Sequence, residues 1–223
     1  MKISKATLDV LKNYASINTN ILVREGNTLA TISTGKNIFS RATVAETFDR
    51  EFAIYDLNSL LALLTLMEDT DVEFGEESIT ISKDRSQFEY YYADPSIVVA
   101  APDKTIEVDN HYGFHLSSQD VQMVMKAAAI VSAPMLSVVS KGGQLDLGQV
   151  TLSVGDPSTP RSNTFRNVIG DCDKEFDCRL AIENFKIIPG DYEVTLSQKK
   201  FMYLKNKNTD IQYWLALEPS SVI

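Results

Sequence analysis

The sequence is poor in the residues that build metal and catalytic sites. Its 223 residues include two cysteines, Cys172 and Cys178, and two histidines, His111 and His115, which lie far from the cysteines along the chain. A zinc site needs more ligands at closer spacing, so the thiols are predicted to be reduced and structural. No Ser-His-Asp pattern and no Gly-Lys-Ser phosphate loop is present. We expect no metal, no cofactor and no catalysis.

Long hydrophobic runs are also missing. No stretch of about 18 apolar residues occurs, and the sequence opens on alternating polar and apolar residues (Met-Lys-Ile-Ser-Lys) rather than on a signal core. We therefore expect no membrane segment and a cytosolic location. With 44% hydrophobic residues, the chain is long enough for one large or two ordinary domains.

Positive charge is scarce, which at first argues against a nucleic-acid partner. The chain has 21 basic and 30 acidic residues, a net charge of −9. The stretch from Glu68 to Asp109 contains twelve acidic and three basic residues, so it accounts for the whole excess. Residues 1–18 carry a local charge of +2. This partition suits a protein with one surface that repels DNA and another that tolerates it.

Hydrophobic periodicity predicts four helices. Residues 3–18 form an amphipathic helix with Ser4 as N-cap, and 117–131 form another behind a capping-box pattern at Ser117-Ser118-Gln119-Asp120. Its predicted apolar face consists of Val121, Val124, Met125, Ala128 and Val131, and its other face of Gln119, Gln122, Lys126 and Ala129. Shorter helices are predicted at 56–68 and at 181–188, the latter ended by Pro189-Gly190.

Alternating segments predict strands between these helices. The main ones are 20–32, 78–82, 87–92, 135–140, 149–154, 192–197 and 211–217. Helix, strands, helix and strands thus occur twice, which predicts an α+β chain of two similar domains, 1–104 and 105–223. Residues 93–112 are the expected crossover between them.

Short blocks in a fixed order then carry a family resemblance. They are the opening Met-Lys-Ile-Ser-Lys, Leu-Lys-Asn-Tyr-Ala-Ser-Ile-Asn at 11–18, Ala-Ile-Tyr-Asp-Leu-Asn at 53–58, Ala-Asp-Pro-Ser at 93–96, Ile-Pro-Gly-Asp-Tyr at 188–192 and Tyr-Trp-Leu-Ala-Leu-Glu at 213–218. In this order the blocks resemble the DNA polymerase sliding clamps (processivity factors) of T-even-type bacteriophages. The similarity is least over 141–178.

The resemblance implies a DNA clamp fold with helices lining a central hole and antiparallel sheets outside. It implies a homotrimer that encircles double-stranded DNA without sequence specificity. It also implies an ATP-driven clamp loader, the C-terminal tail of the phage DNA polymerase and late-transcription factors as partners.

Carried over position by position, the resemblance gives two sets of candidate residues. The DNA-facing candidates are Lys2, Lys5, Lys12, Lys126 and Lys186, with Lys186 on the fourth predicted helix. The polymerase-tail candidates, beside the crossover and the last strand, are Ile97, Val98, Trp214, Leu215 and Ala216. Each set has a plainer interpretation, as an ordinary solvated helix face and as strand or core residues. The alternative for the whole chain is an acidic, β-rich phage structural or scaffold protein.

Overall fold

The computed structural model describes residues 1–66, 70–104, 106–109, 111–142 and 148–223. The predicted ends of the second helix, Met67 and Glu68, and part of the acidic stretch lie outside the described residues. The chain divides into two compact units, Met1–Lys104 and Thr105–Ile223.

The first unit packs two helices against antiparallel strands. Its elements are α1 (Lys5–Ile17), β1 (Ile21–Val23), β2 (Gly26–Ile32), β3 (Ile38–Phe48), β4 (Phe52–Ile54), α2 (Leu57–Leu66), β5 (Asp71–Phe74), β6 (Ser78–Lys83) and β7 (Ser86–Tyr91). Strand β1 pairs with β4, β2 pairs with β3, and β5, β6 and β7 form a sheet in that order. Helix α1 contacts α2, β2 and β3, and its Tyr14 is fully buried.

The second unit contains one α-helix and two antiparallel sets of strands. Its elements are β8 (Tyr112–Leu116), α3 (Ser118–Val131), β9 (Met135–Lys141), β10 (Gly148–Gly155), β11 (Phe165–Cys172), β12 (Glu175–Ala181), β13 (Tyr192–Ser197), β14 (Phe201–Asn206) and β15 (Ile211–Ala216). One sheet has the order β11-β10-β9-β12, and the other set has the order β15-β14-β13-β8. Helix α3 contacts β10 and β11.

The predicted fourth helix at 181–188 is wrong. Strand β12 continues to Ala181, and only the single 3-10 turn Ile182–Asn184 follows. Phe185 and Ile187 are buried on either side of the less buried Lys186. Burial at every second residue is the spacing of an extended chain, not of a helix. Lys186 therefore does not lie on a helix.

The other helices begin and end close to their predicted bounds. Asn18 caps the end of α1, and α2 begins at Leu57, where the Asp56 side chain accepts hydrogen bonds from the backbone and hydroxyl of Ser59. The predicted strand 20–32 is divided into β1 and β2, and the strands without a predicted counterpart include β3, β5, β8, β11 and β14. In β3 and β14 the polar residues Ser40, Glu46 and Asn206 occupy buried positions and interrupt the hydrophobic alternation. Strands β8 and β11 each have a single buried residue, at their last position.

Candidate nucleic-acid interface

Helix α1 presents a basic face because its other face is fixed in the core. Leu11, Tyr14 and Ala15 are buried, while Lys5 and Lys12 are exposed. The Ser4 side chain accepts a hydrogen bond from the backbone N–H of Thr7 at 3.2 Å, which confirms Ser4 as the N-cap.

A carboxylate from a distant strand completes this cap. Glu46 on β3 accepts a hydrogen bond from the Ser4 backbone N–H at 2.5 Å and another from the Thr7 hydroxyl. Burial raises the pKa of Glu46, but the hydrogen bonds from Thr7 and Ser4 outweigh it, so its pKa lies below the ordinary value. The negative charge also suits the positive end of the helix dipole. Glu46 thus holds the start of α1 on the sheet.

Helix α3 begins with the predicted capping box and has a similar distant cap. The backbone N–H of Asp120 donates to the Ser117 hydroxyl, and the Ser117 N–H donates to Asp120, each at 3.1 Å. Asp191, from the turn before β13, accepts a hydrogen bond from the Ser118 backbone N–H at 2.8 Å. This bond is the main cause of the lowered pKa of Asp191. Both helices are therefore tied at their N-termini to carboxylates far away in sequence.

The exposed face of α3 agrees with the prediction, but its apolar face is narrower. Gln119, Gln122, Lys126 and Ala129 are exposed, and Val121, Val124 and Ala128 are buried. Met125, predicted to be apolar core, is 39% exposed, so that assignment is wrong. Met125 lines an open groove of ≈ 340 Å³ together with Ala128, Ala129, Ala133, Ile182 and Phe185.

The structure places the predicted DNA-facing lysines in different surroundings. Lys2, Lys5, Lys12 and Lys126 are exposed, whereas Lys186 is half-buried after the 3-10 turn. Lys12 borders an open groove of ≈ 540 Å³ with Asn58, Ala62 and Thr65 of α2. These small and polar residues of α2 therefore lie beside the basic face of α1.

The predicted polymerase-tail residues differ sharply in exposure. Ile97 is 58% exposed in the 3-10 turn Pro95–Ile97, while Val98 is 8% exposed. Trp214 is buried with its ring 5.0 Å from that of Tyr203, centroid to centroid, and Leu215 is fully buried. Ala216 is partly exposed at the end of β15.

Several residues on and around these helices were not predicted from the sequence. Glu46 and Asp191 give no local capping signal, because each caps a helix that is distant along the chain. Leu66 on α2 and Ile130 on α3 were not singled out, although they are 72% and 82% exposed. Both side chains lie in the last turn of their helices.

The described residues give no indication of a metal site. They contain no group of three or more His, Cys, Asp or Glu side chains that could hold a metal ion. Cys172 and Cys178 are unpaired and buried, and burial raises the pKa of Cys178 to about 12. Among these residues, no helix has the length and apolarity needed to cross a membrane.

The known proteins that this chain resembles in sequence are DNA polymerase processivity factors and sliding clamps. The family of DNA polymerase processivity factors matches residues 2–100. The sliding clamp of Enterobacteria phage T4 is 30% identical, covering 99% of this chain and 98% of the relative, and that of Vibrio phage KVP40 is 29% identical, covering 98% and 99%. These relatives support the clamp resemblance and not the alternative of a structural protein.

Solved structures agree on the fold. The proliferating cellular nuclear antigen of Entamoeba histolytica matches with a TM-score of 0.67 at 13% identity, covering 95% of this chain and 94% of that one. The β subunit of DNA polymerase III from Pseudomonas aeruginosa matches with a TM-score of 0.66 at 11% identity, covering 98% and 64%. The fold is the DNA clamp fold.

Proposed function

The chain belongs to the sliding-clamp family of DNA polymerase processivity factors, and on this premise we propose that it forms a ring around duplex DNA and tethers a phage polymerase to it. The observation that carries this proposal is the similarity to phage clamps over nearly the whole chain. In this proposal the two units are the two clamp domains, and the chain has no catalytic activity of its own.

The lysines on α1 and α3 supply contacts suited to sliding. Lys5, Lys12 and Lys126 are exposed on helices whose opposite faces are buried. A lysine ammonium is a point charge on a flexible stem, so it exchanges readily between phosphates and reads no bases. A few such contacts hold DNA weakly, and the closed ring would provide retention. Lys2 belongs to this surface by its exposure, and Lys186 by the family resemblance alone.

The acidic residues of the first unit complement this arrangement. Asp71, Glu73, Glu76, Glu77 and Glu89 are exposed on and around the sheet β5-β6-β7. Because like charges repel, this sheet would keep DNA away from the outside of the ring. The net charge of −9 is therefore compatible with a protein that holds DNA only on its inner surface.

Two sheet edges and two exposed apolar side chains support assembly into a homotrimer. Strand β7 is the last strand of its sheet, and β11 is the last strand of a sheet in the second unit. Unpaired edges can join between copies. Leu66 on α2 and Ile130 on α3 lie on the same units as β7 and β11, respectively. A head-to-tail contact that repeats and closes gives a ring.

Partner proteins complete the proposal. The C-terminal tail of the polymerase would bind at Ile97, Val98, Trp214, Leu215 and Ala216, with Ile97 and Ala216 accessible and the others beneath the surface. An ATP-driven clamp loader would open the ring, and late-transcription factors would use the same clamp. Ile97→Asp should weaken capture of a polymerase-tail peptide and leave the mass of the ring unchanged.

Primer extension on primed circular DNA, with polymerase and loader, tests the central proposal. Adding this chain should lengthen the products, and the triple variant Lys5→Glu, Lys12→Glu, Lys126→Glu should shorten them again. The matched control is Lys36→Glu, Lys205→Glu, Lys207→Glu, which reverses three exposed lysines outside the two helices. Equal product lengths with both triple variants at moderate salt would contradict the assignment of the lysines, and no lengthening by the original chain would contradict the function.

A further inference from the structure

The open face of the sheet β11-β10-β9-β12 carries a basic groove within an acidic protein. The groove has a volume of ≈ 580 Å³, and its charged lining residues are Lys141, Arg166, Asp177 and Arg179. The core-facing residues Leu136, Val138 and Leu152 are buried. Groove residues alternate with them along the strands, so they lie on the opposite side of the sheet from the core.

Strand register places two arginines at the ends of one row across this groove. Ser153 on β10 lies opposite Arg166 on β11 and opposite Ser137 on β9, and Ser137 lies opposite Arg179 on β12. Neighbouring strands are about 4.8 Å apart, so the two arginine positions are about 14 Å apart. Two serine positions therefore lie between the two arginine positions.

The donors along this row are available to a ligand. No described residue hydrogen-bonds to the hydroxyls of Ser137, Ser153 or the neighbouring Thr151, and none pairs with Arg166. Arg179 is held by Asp177 through Nε at 2.9 Å and Nη2 at 2.6 Å. This pair fixes the guanidinium while leaving Nη1 to donate outward. The row is an ordered set of hydrogen-bond donors.

We propose that this groove binds an acidic peptide segment of a partner protein, with carboxylates at alternate residues. An extended chain rises about 3.4 Å per residue, so side chains at positions i and i+4 span the distance between the arginines. The side chain at i+2 faces the same way and would lie over the two serines. Such a segment matches the row of arginines and serines in charge and in spacing, and its alternate side chains all face the groove.

The surroundings favour a peptide over a nucleic-acid strand. Asp171 lies opposite Gln149 and Glu175 opposite Lys141 at one end of the groove, and Asp156 precedes Pro157 at the other. These carboxylates flank the row along the strand direction, so a nucleic-acid backbone, which carries a charge at every nucleotide, would meet them wherever it departs from the row. In a peptide, the acidic cluster can end where the groove ends.

Fluorescence anisotropy at low salt tests the proposal with a labelled peptide that has aspartate at three alternate positions between glycines and serines. An otherwise identical peptide with asparagine is the control. The intact chain should bind the aspartate peptide, and Arg166→Gln should weaken binding about tenfold, since charge-assisted bonds are the stronger ones. Lys205→Gln, which removes an exposed cation outside the groove, should leave binding unchanged.

Several results would overturn the proposal. They are equal affinity for the two peptides, unchanged affinity in Arg166→Gln, and tighter binding of a labelled oligothymidylate that Arg166→Gln abolishes. Light scattering provides a further check, because β11 also presents a sheet edge. If Arg166→Gln lowers the mass of the assembly, the arginine serves contact between copies rather than a peptide. Arg166 is exposed, so an unchanged melting temperature is expected and excludes misfolding as the cause.

Discussion

Replacing Glu46 by glutamine should loosen the start of the basic helix α1. The carboxylate accepts hydrogen bonds from the backbone of the N-cap residue Ser4 and from the hydroxyl of Thr7, which is 1% exposed. The amide of glutamine keeps one acceptor oxygen for the Ser4 N–H, and its NH2 group can only donate to the Thr7 hydroxyl, so both contacts lose their charged acceptor. Because a hydrogen bond to a charged group contributes more than one between neutral groups, losing the charge should lower the free energy of unfolding by about 1–2 kcal/mol. Urea denaturation at pH 7, followed by circular dichroism, measures this difference.

The pH dependence of stability provides a second measure of the same contact. The pKa of Glu46 in the folded chain lies below its ordinary value of 4.5. Its contribution is therefore fully present above that value and is lost as the pH falls through the folded pKa. The difference in stability between the original chain and Glu46→Gln should shrink across this acidic range. An unchanged urea midpoint at pH 7, or a difference that stays constant down to pH 3, would refute the role assigned to this carboxylate.

Three further predictions concern other parts of the chain. Asp191→Ala should lower the urea midpoint, because the Ser118 N–H at the start of α3 loses its acceptor, and Asp210→Ala at an exposed turn should not. Leu66→Glu should lower the mass measured by light scattering without lowering the helix content, since a charge replaces an exposed apolar side chain; an unchanged mass would remove α2 from the proposed contact. Cys178 should react with a thiol reagent at pH 8 only after unfolding, because burial raises its pKa to about 12, and fast reaction of the folded chain would contradict its placement in β12.

The sequence predicted the elements whose signals are local. Helices α1 and α3 each have a serine cap followed by apolar residues at helical spacing, and both form where expected. Strand β3 was missed because Glu46 occupies a buried position between Val44 and Phe48, which interrupts the apolar alternation. The failure at 181–188 has the opposite cause, since the sequence is helix-compatible but only the 3-10 turn Ile182–Asn184 forms, and Phe185 and Ile187 are buried at the spacing of an extended chain.

The candidate site could be predicted only in part, because some of its features are local and others depend on contacts between distant segments. The exposure of Lys5, Lys12 and Lys126 follows from periodicity within each helix, which is a local property. The setting of Lys186 depends on how Phe185 and Ile187 pack, and the roles of Glu46 and Asp191 depend on contacts between distant segments. The groove between Arg166 and Arg179 requires the register of four strands, which no single-sequence pattern specifies.

The distant caps also bear on how each unit folds. The Ser4 contact with Glu46 spans 42 residues, and the Ser118 contact with Asp191 spans 73. Each helix can begin as a local turn, but its first backbone donors acquire their final acceptors only when a much later segment arrives. Contacts this far apart slow folding and make it cooperative. A chain released before residue 191 would carry α3 with an incomplete start, so the proposed DNA-facing surface of α3 is complete only once most of the second unit has been synthesised.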